Sequence, residues 1–287
     1  MWRIWLAALF WGLNWPAVKI LLGSISPWTL RSVGLTLGGQ LLAAVTLASR
    51  QSLAVPRQYW RQLITAGLLA IAGFNICAVF AQLSMSASRA AILTYTMPLW
   101  SVLFAWIFLA EPIDRLRGLA LGIGAVGLAL LSLPFWAQLQ EGQFPAGLAY
   151  VMGAAISWSL GTVYLKRCKI PGTPLALTTW QIFVGAAVTT AGMLLLETPH
   201  LDLTPVVAAT LAYHIIFPQA VAYALWFGLM ARVSVSTTAL GTLLVPIFGV
   251  LGAVLLLGER PSAVDLVGFA LILAAVVLDQ GCRAIRA

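Results

Sequence analysis

Charged residues are scarce in this chain. Asp, Glu, Lys and Arg make up 8% of its 287 residues, whereas hydrophobic residues make up 61%. A soluble globular domain carries about 25% charged residues, because its surface must be covered with groups that water solvates. A surface so poor in charge must face lipid instead. The composition therefore predicts an integral membrane protein.

Cysteine is also rare, and the sequence motifs of enzymes are absent. The three cysteines are odd in number and far apart, so they predict neither a disulfide framework nor a paired metal site. No HExxH or GxSxG motif and no glycine-rich phosphate loop occurs. We therefore expect no catalytic residue, no metal and no cofactor, which disfavours a membrane enzyme. The short connections between apolar runs disfavour a receptor or a scaffold with soluble domains.

Ten long apolar runs occupy most of the sequence. A helix needs about 20 residues to cross the hydrocarbon core, and a lipid-exposed backbone must satisfy its own hydrogen bonds. The predicted fold is an all-α integral membrane protein with ten transmembrane helices. The predicted helices run over residues 3–23, 28–49, 61–83, 87–110, 115–135, 145–166, 174–196, 205–230, 235–257 and 262–282.

The 16 Lys and Arg residues divide unevenly between the two ends of these helices. With the N-terminus in the cytoplasm, 12 of the 16 fall on the cytoplasmic side. The positive-inside rule therefore predicts that both termini are cytoplasmic. No dense basic run is present, so the net charge of +8 does not predict nucleic-acid binding. The remaining cations, which are Lys19, Arg31, Arg89 and Arg260, are expected toward the external helix ends.

An internal repeat links the two halves of the chain. Residues 86–111 and 234–259 align without gaps at 10 of 26 positions, including the pairs Pro98/Pro246 and Glu111/Glu259. The offset of 148 residues gives five helices per half, an odd number, so the second half enters the membrane from the opposite side. The prediction is one membrane domain of two inverted repeats, residues 1–135 and 136–287. Inverted repeats are typical of secondary transporters, which bind substrate at the repeat interface and alternate access around it.

Several motifs resemble those of a known transporter family. They are FWGLNWPAVK at 10–19, SASRAAIL at 86–93, SWSLGTVYLKR at 157–167, AYALWFGLMARVSVSTTA at 222–239, GER at 258–260, and a proline with a glutamate thirteen residues later. The chain resembles the EamA-type drug/metabolite transporter superfamily, and within it is most similar to bacterial aromatic amino acid exporters of the YddG type. The resemblance implies ten helices in a bacterial inner membrane and export of amino acids or related metabolites through a central cavity.

Polar and aromatic residues in the middle of the predicted helices are candidates for that cavity. A buried Asn needs hydrogen-bond partners, which an amino acid could supply, and aromatic rings can stack on a side chain or hold a cation. Trp11 and Asn14 share a helix face, as do Trp158 and Thr162. The predicted cavity residues are Trp11, Asn14, Asn75, Tyr95, Met97, Trp158, Thr162, His214, Tyr223, Thr242 and Leu244.

Two prolines and two acids complete the predicted transport residues. Pro98 and Pro246 each remove a backbone donor and predict helix kinks near the middle of the membrane. Glu111 and Glu259, at equivalent repeat positions, are predicted either to hold helices together at a gate, with Arg115 or Arg117 as a partner for the former, or to cap a helix end.

The sequence leaves the energy source open, because all eight acids lie at or near helix ends. An intramembrane carboxylate usually signals function, and none is predicted at mid-span. Facilitated export is therefore the simpler expectation. His214 titrates near neutral pH in water and is interpreted either as a hydrogen-bonded structural residue or as a proton relay.

The expected partners are the lipid bilayer and a small molecule. A multidrug exporter on the same scaffold is the alternative, and nucleotide-sugar transport is disfavoured because phosphate would need a cation at mid-span. The glycine pairs Gly34/Gly38 and Gly118/Gly122 allow close helix contact, either within the chain or between copies. We expect a monomer or a homodimer.

Overall fold

The computed structural model describes residues 2–223, 225 and 244–286, and within these ranges the fold is all-α. Thr242, one of the predicted cavity residues, lies outside the described residues. The helices are α1 (Trp2–Leu21), α2 (Pro27–Ala48), α3 (Trp60–Gly67), α4 (Phe74–Ser84), α5 (Ala87–Thr94), α6 (Met97–Leu109), α7 (Arg115–Gln140), α8 (Ala146–Cys168), α9 (Pro174–Leu196), α10 (Pro205–Ile216), α11 (Leu244–Leu257) and α12 (Ala263–Arg286). A short 3₁₀ turn at Arg57–Tyr59 leads into α3.

Six described segments are long and apolar enough to cross a membrane. They are Pro27–Ala48, Arg57–Ser84, Ala87–Leu109, Arg115–Trp136, Ala146–Cys168 and Pro174–Leu196, and two shorter apolar segments are Pro205–Val221 and Leu244–Leu257. The predicted spans at 28–49 and 174–196 match α2 and α9 within one residue. Most of these segments turn large hydrophobic side chains outward, as expected where lipid replaces water.

Two of the predicted spans contain a wide helical turn. A π-turn at Leu68–Gly73 joins α3 to α4, and a second at Phe217–Val221 follows α10. In a π-helix each N–H bonds to the carbonyl five residues back, a geometry that occurs as single turns and often at functional sites. The second π-turn lies 148 residues after Leu69–Gly73, which is the offset of the sequence repeat.

The predicted span at 87–110 is broken in its middle. α5 ends at Thr94, and α6 begins at Met97, immediately before Pro98. Proline has no N–H to bond the preceding turn and fits the first turn of a new helix, which accounts for a break at this point. The α5–α6 pair is the observed form of the kink predicted at Pro98. Pro246 lies in α11, where it is buried.

Long helices pack in pairs around the centre of the molecule. α2 packs along α9, α7 along α12, and α1 along α11. The largest buried cluster brings α4, α5, α7, α8 and α12 together around Leu93, Leu131, Val151 and Ile272. At one end, the α1–α2 and α9–α10 connections are joined by an isolated bridge between Ile25 and Leu201. These contacts enclose a cavity among α1, α2, α4, α6, α8 and α9.

Candidate functional site

A cavity of about 560 Å³ lies between the helices and is lined mostly by apolar side chains. Ligand pockets for small molecules fall between roughly 300 and 1,000 Å³ and combine an apolar wall with a few polar groups. Both π-turns contribute to the wall, through Ala70 and Ile71 in the first and Pro218 and Gln219 in the second. The volume suits a molecule the size of an amino acid or a small drug.

The structure brings eight of the eleven predicted cavity residues to this wall. They are Trp11, Asn14, Asn75, Tyr95, Met97, Trp158, Thr162 and Tyr223. Pro98, predicted as a kink, also lines the cavity at the α5–α6 break. Two of the others, His214 and Leu244, lie behind the wall, and Pro246 is likewise outside it.

Aromatic pairs form two parts of the wall. The rings of Trp11 and Tyr223 meet edge to face with centroids 5.3 Å apart, and those of Phe74 and Trp158 do so at 5.1 Å. The Trp11 indole Nε1 donates to the Pro218 carbonyl oxygen at 3.1 Å. That bond fixes the ring and uses a carbonyl of the second π-turn. Edge-to-face pairs of this kind prefer fixed geometry, so the apolar wall is preformed.

Hydrogen bonds from α8 also stabilise the broken span. The Ser159 hydroxyl donates to the Met97 carbonyl oxygen at 2.8 Å, where the backbone has left the α-helical pattern. The Thr162 hydroxyl donates to the Trp158 carbonyl oxygen one turn earlier at 2.9 Å. Thr162 therefore presents mainly its methyl group and an acceptor oxygen to the cavity.

His214 is a buried neighbour of the cavity wall. Its Nδ1 lies 2.6 Å from the Asn14 Oδ1, and its ring is fully buried. The ring packs on Gly34, where a Cβ would come within 2.7 Å of Nε2. The sequence left two interpretations of His214 open, a structural residue and a proton relay. This placement fits the structural one, in which His214 orients the Asn14 amide.

Gly34 and Gly38 are both packed within the chain, Gly38 against Gln219, whereas Gly118 and Gly122 have open space around them.

Leu244 packs behind the wall in a small apolar cluster. Its side chain lies against buried Tyr95 and Val245, which do line the cavity. These neighbours could not be separated by sequence, because a helix position two residues before a proline does not indicate which helix face turns toward the cavity.

Arg31 is a cavity residue that the sequence prediction missed. Its position near the start of α2 indicated the external end of a helix, yet its side chain is 4% exposed and lines the cavity. Its Nη1 donates to the Asn75 Oδ1 at 3.2 Å. The Gln82 amide, 2% exposed, lines the same cavity with an Oε1 that has no hydrogen-bond partner among the described residues. A position along a helix gives approximate depth but not the direction of a long side chain.

The two predicted gate acids each join separate helices. The Glu259 carboxylate accepts hydrogen bonds from the Ala87 and Ser88 backbone N–H groups at 2.7 and 2.9 Å and from the Ser88 hydroxyl, so it caps α5 from the end of α11. Glu111 pairs with Lys166 of α8 at 2.6 Å. Of the two partners that the sequence suggested for Glu111, Arg117 lies 3.7 Å from Asp279.

Glu197 plays a capping role that the sequence did not reveal. This residue follows α9 and looked like a connecting acid, but its carboxylate accepts from the Thr29 N–H at 2.6 Å and the Trp28 N–H at 3.2 Å. The Ser26 and Thr29 hydroxyls donate to the same carboxylate, each at 2.8 Å. The first turn of α2 is therefore capped by a residue 168 positions away. No local motif could have signalled this contact.

A helical bundle with broken spans around a largely apolar, preformed cavity is the architecture of a membrane transporter. The profile of the EamA-like transporter family matches residues 2–133 and, a second time, residues 145–278. The chain therefore belongs to the EamA-like transporter family and is a multi-pass membrane protein.

Curated relatives and a solved structure extend over almost the whole chain. The "Uncharacterized transporter YvbV" of Bacillus subtilis is 24% identical over 94% of this chain and 88% of its own length. A "Probable amino-acid metabolite efflux pump" of Salmonella typhimurium is 26% identical over 96% of this chain and 92% of its own length. One crystal structure, 23% identical, matches with a TM-score of 0.67 and covers 99% of this chain and 98% of that one, which shows the shared fold.

Proposed function

We propose that this chain exports amino acids, aromatic or otherwise neutral, across the bacterial inner membrane through its central cavity. The observation that carries the proposal is the cavity itself. Its volume is about right for such a substrate, its wall contains aromatic rings, and its described lining residues include no Asp or Glu. A similar protein from Salmonella typhimurium bears the name of an amino-acid metabolite efflux pump. Aromatic exporters of the YddG type are the finer assignment we propose.

The proposed mechanism is alternating access between two inverted halves with cytoplasmic termini. Two π-turns at equivalent positions of the repeat support it, since both contribute to the cavity. Such wide turns interrupt regular packing, and rocking of one half against the other would act on this shared wall.

The charged pairs at the two ends of the α5–α6 span also fit an inverted repeat. Beyond the end of α6, Glu111 pairs with Lys166. At the start of α5, Glu259 accepts from the Ala87 N–H, and Lys19 donates to the Met85 carbonyl oxygen two residues earlier. The two glutamates are 148 residues apart and the two lysines 147. We propose that these pairs act as equivalent contacts that close opposite ends of the cavity in turn.

A multidrug exporter is the second candidate, because the apolar wall would also accept lipophilic drugs. Cationic drugs would gain most from a carboxylate in the cavity, and the described wall contains none while it does contain Arg31. The charge of the cavity therefore favours amino acids.

The proposal is tested by transport in liposomes that contain the purified protein. We expect preloaded unlabelled phenylalanine, tryptophan or another neutral amino acid to drive uptake of the labelled compound, and cationic dyes to be transported poorly. Facilitated export further predicts that this exchange continues when ionophores collapse the proton gradient. Efflux of dyes without exchange of any amino acid would favour the drug exporter, and exchange that stops with the gradient would contradict the facilitated mechanism.

Two substitutions in the cavity wall should impair this exchange. Trp158→Ala removes an aromatic face, and Asn75→Ala removes the amide that holds Arg31, so each should lower the exchange rate about tenfold or more. Trp136→Ala is a matched control, because Trp136 is exposed on α7 away from the cavity. Expression and elution volume in detergent should match the wild type, and normal exchange by both variants would remove these residues from the site.

A further inference from the structure

Arg31 is the one cation in the described wall of the cavity. It lies one turn into α2, and its side chain is 4% exposed. A guanidinium is charged at every physiological pH, so this group brings a permanent positive charge into the protein interior. Isolated buried charges are costly and are normally paired with an opposite charge.

Among the residues that the structure describes, Arg31 has only a neutral partner. Its Nη1 donates to the Asn75 Oδ1 at 3.2 Å. Within the described part of the chain, its buried Nε has no hydrogen-bond partner and no carboxylate oxygen lies within 4.0 Å. Two other cations near helix ends are paired with carboxylates, since Arg89 lies 2.7 Å from Asp265 and Lys166 lies 2.6 Å from Glu111. Arg31 differs from these two cations because it lines the cavity and has no carboxylate partner among the described residues.

Asn75 holds the guanidinium in place. The Asn75 Nδ2 donates to the Ile71 carbonyl oxygen at 2.9 Å, inside the first π-turn, which leaves the Oδ1 facing Arg31. One bond thus fixes the side chain of Arg31, while its Nη2 has no hydrogen-bond partner among the described residues. A guanidinium fixed in this way is suited to bind a carboxylate with two parallel hydrogen bonds.

We infer that Arg31 binds the carboxylate of the transported compound, an inference that rests on the proposed export function. The ligand class is a single carboxylate attached to an apolar or aromatic body, because one cation faces the aromatic wall. Lys19 is another cation expected near the same helix ends, but it donates to the Gln82 and Met85 carbonyl oxygens and does not line the cavity. A phosphate ester, with its greater charge, would leave part of that charge unmatched.

The wild-type protein tests this inference through the choice of competitor. Exchange of labelled phenylalanine is measured against phenylalanine, 3-phenylpropanoate, phenylalaninamide and phenylethylamine, which keep the ring and vary the charged groups. We expect the two carboxylates to compete roughly tenfold or more strongly than the amide and the amine. The amide and the amine have no anionic group that could accept a charge-assisted hydrogen bond from the buried guanidinium. Equal competition by phenylalaninamide would overturn the inference.

Substitutions locate the effect at this residue. Arg31→Gln should bring the ratio of amide to carboxylate inhibition constants close to one, and Arg31→Lys should keep part of the preference because it keeps the charge. Arg57→Gln, which removes an exposed arginine outside the helix bundle, is the matched control and should keep the wild-type ratio. An unchanged ratio in Arg31→Gln would contradict the inference.

A binding measurement separates this inference from the proposed function. The thermal midpoint of the purified protein is measured with and without 3-phenylpropanoate, which needs no transport. If the carboxylate stabilises the wild type but not Arg31→Gln, and no compound is exchanged in liposomes, the carboxylate site stands and the export function fails. If exchange occurs without preference for the carboxylate and without stabilisation that depends on Arg31, the function stands and the site fails.

Discussion

Replacing Gly12 with alanine should lower the thermal midpoint of the protein in detergent by roughly 5–10 °C. Gly12 lies where α1 crosses α11, and a Cβ at this position would come within 2.5 Å of the Phe248 Cβ and 2.7 Å of the Val245 carbonyl oxygen. These atoms belong to backbone or to the first atom of a side chain, so rotamer changes cannot make room. The helices must move apart, and overpacking of this kind costs about 1–3 kcal/mol.

Gly122→Ala is the matched control for this experiment. Gly122 lies in α7 with no atom near enough to meet an added Cβ within 4 Å, so the same methyl group should leave the midpoint unchanged or raise it slightly. The two variants are compared by unfolding of purified protein monitored by light scattering. Equal midpoints for Gly12→Ala and Gly122→Ala would show that the crossing of α1 and α11 has room for an added methyl group.

Replacing Glu197 with alanine should have the second large effect, a loss of about 2–3 kcal/mol of stability. The carboxylate accepts two backbone N–H groups from the first turn of α2 and two hydroxyl groups beside it. Hydrogen bonds to a charged group contribute about 1.5–3 kcal/mol, and a negative charge at a helix N-terminus adds to this. Without the carboxylate, the first turn of α2 loses its cap and its link to the end of α9.

The Glu197 prediction is checked by the same thermal assay with two further variants. Glu197→Gln retains one acceptor oxygen but loses the second oxygen and the negative charge, so its midpoint should fall between those of Glu197→Ala and the wild type. Glu141→Ala removes an exposed acid from the connection between α7 and α8 and should change little. Equal stability of Glu197→Ala and Glu141→Ala would mean that the α2 cap contributes nothing.

The sequence predicted the elements whose cause is local. Runs of apolar residues bounded by proline, glycine and charge predicted α2, α8 and α9 within two residues at each end. The break before α6 had a local cause in Pro98. The family was also accessible, because its motifs occur in both halves of the chain.

The missed features depend on contacts between distant parts of the chain. Glu197 meets α2 across 168 residues, and Arg31 meets Asn75 across 44, so neither partner is visible in a local pattern. Eight of the predicted lining residues line the cavity, because polar and aromatic groups in the middle of a span are costly to expose to lipid and therefore face the protein interior. His214 also faces the interior, but its ring is hydrogen-bonded to Asn14 and lies behind the cavity wall.

The π-turns also lacked a signal in the sequence, since no residue type is specific to them. Each holds one residue more than an α-helical turn, so the chain is locally longer than a regular helix requires. Removing one residue from Leu68–Gly73 would allow the segment to close as an ordinary helix while the flanking faces stay nearly in register. The same deletion elsewhere in the span would rotate everything after it by about 100°. Gaps in alignments of relatives are therefore expected to fall at these turns, where length can vary without reorienting Asn75.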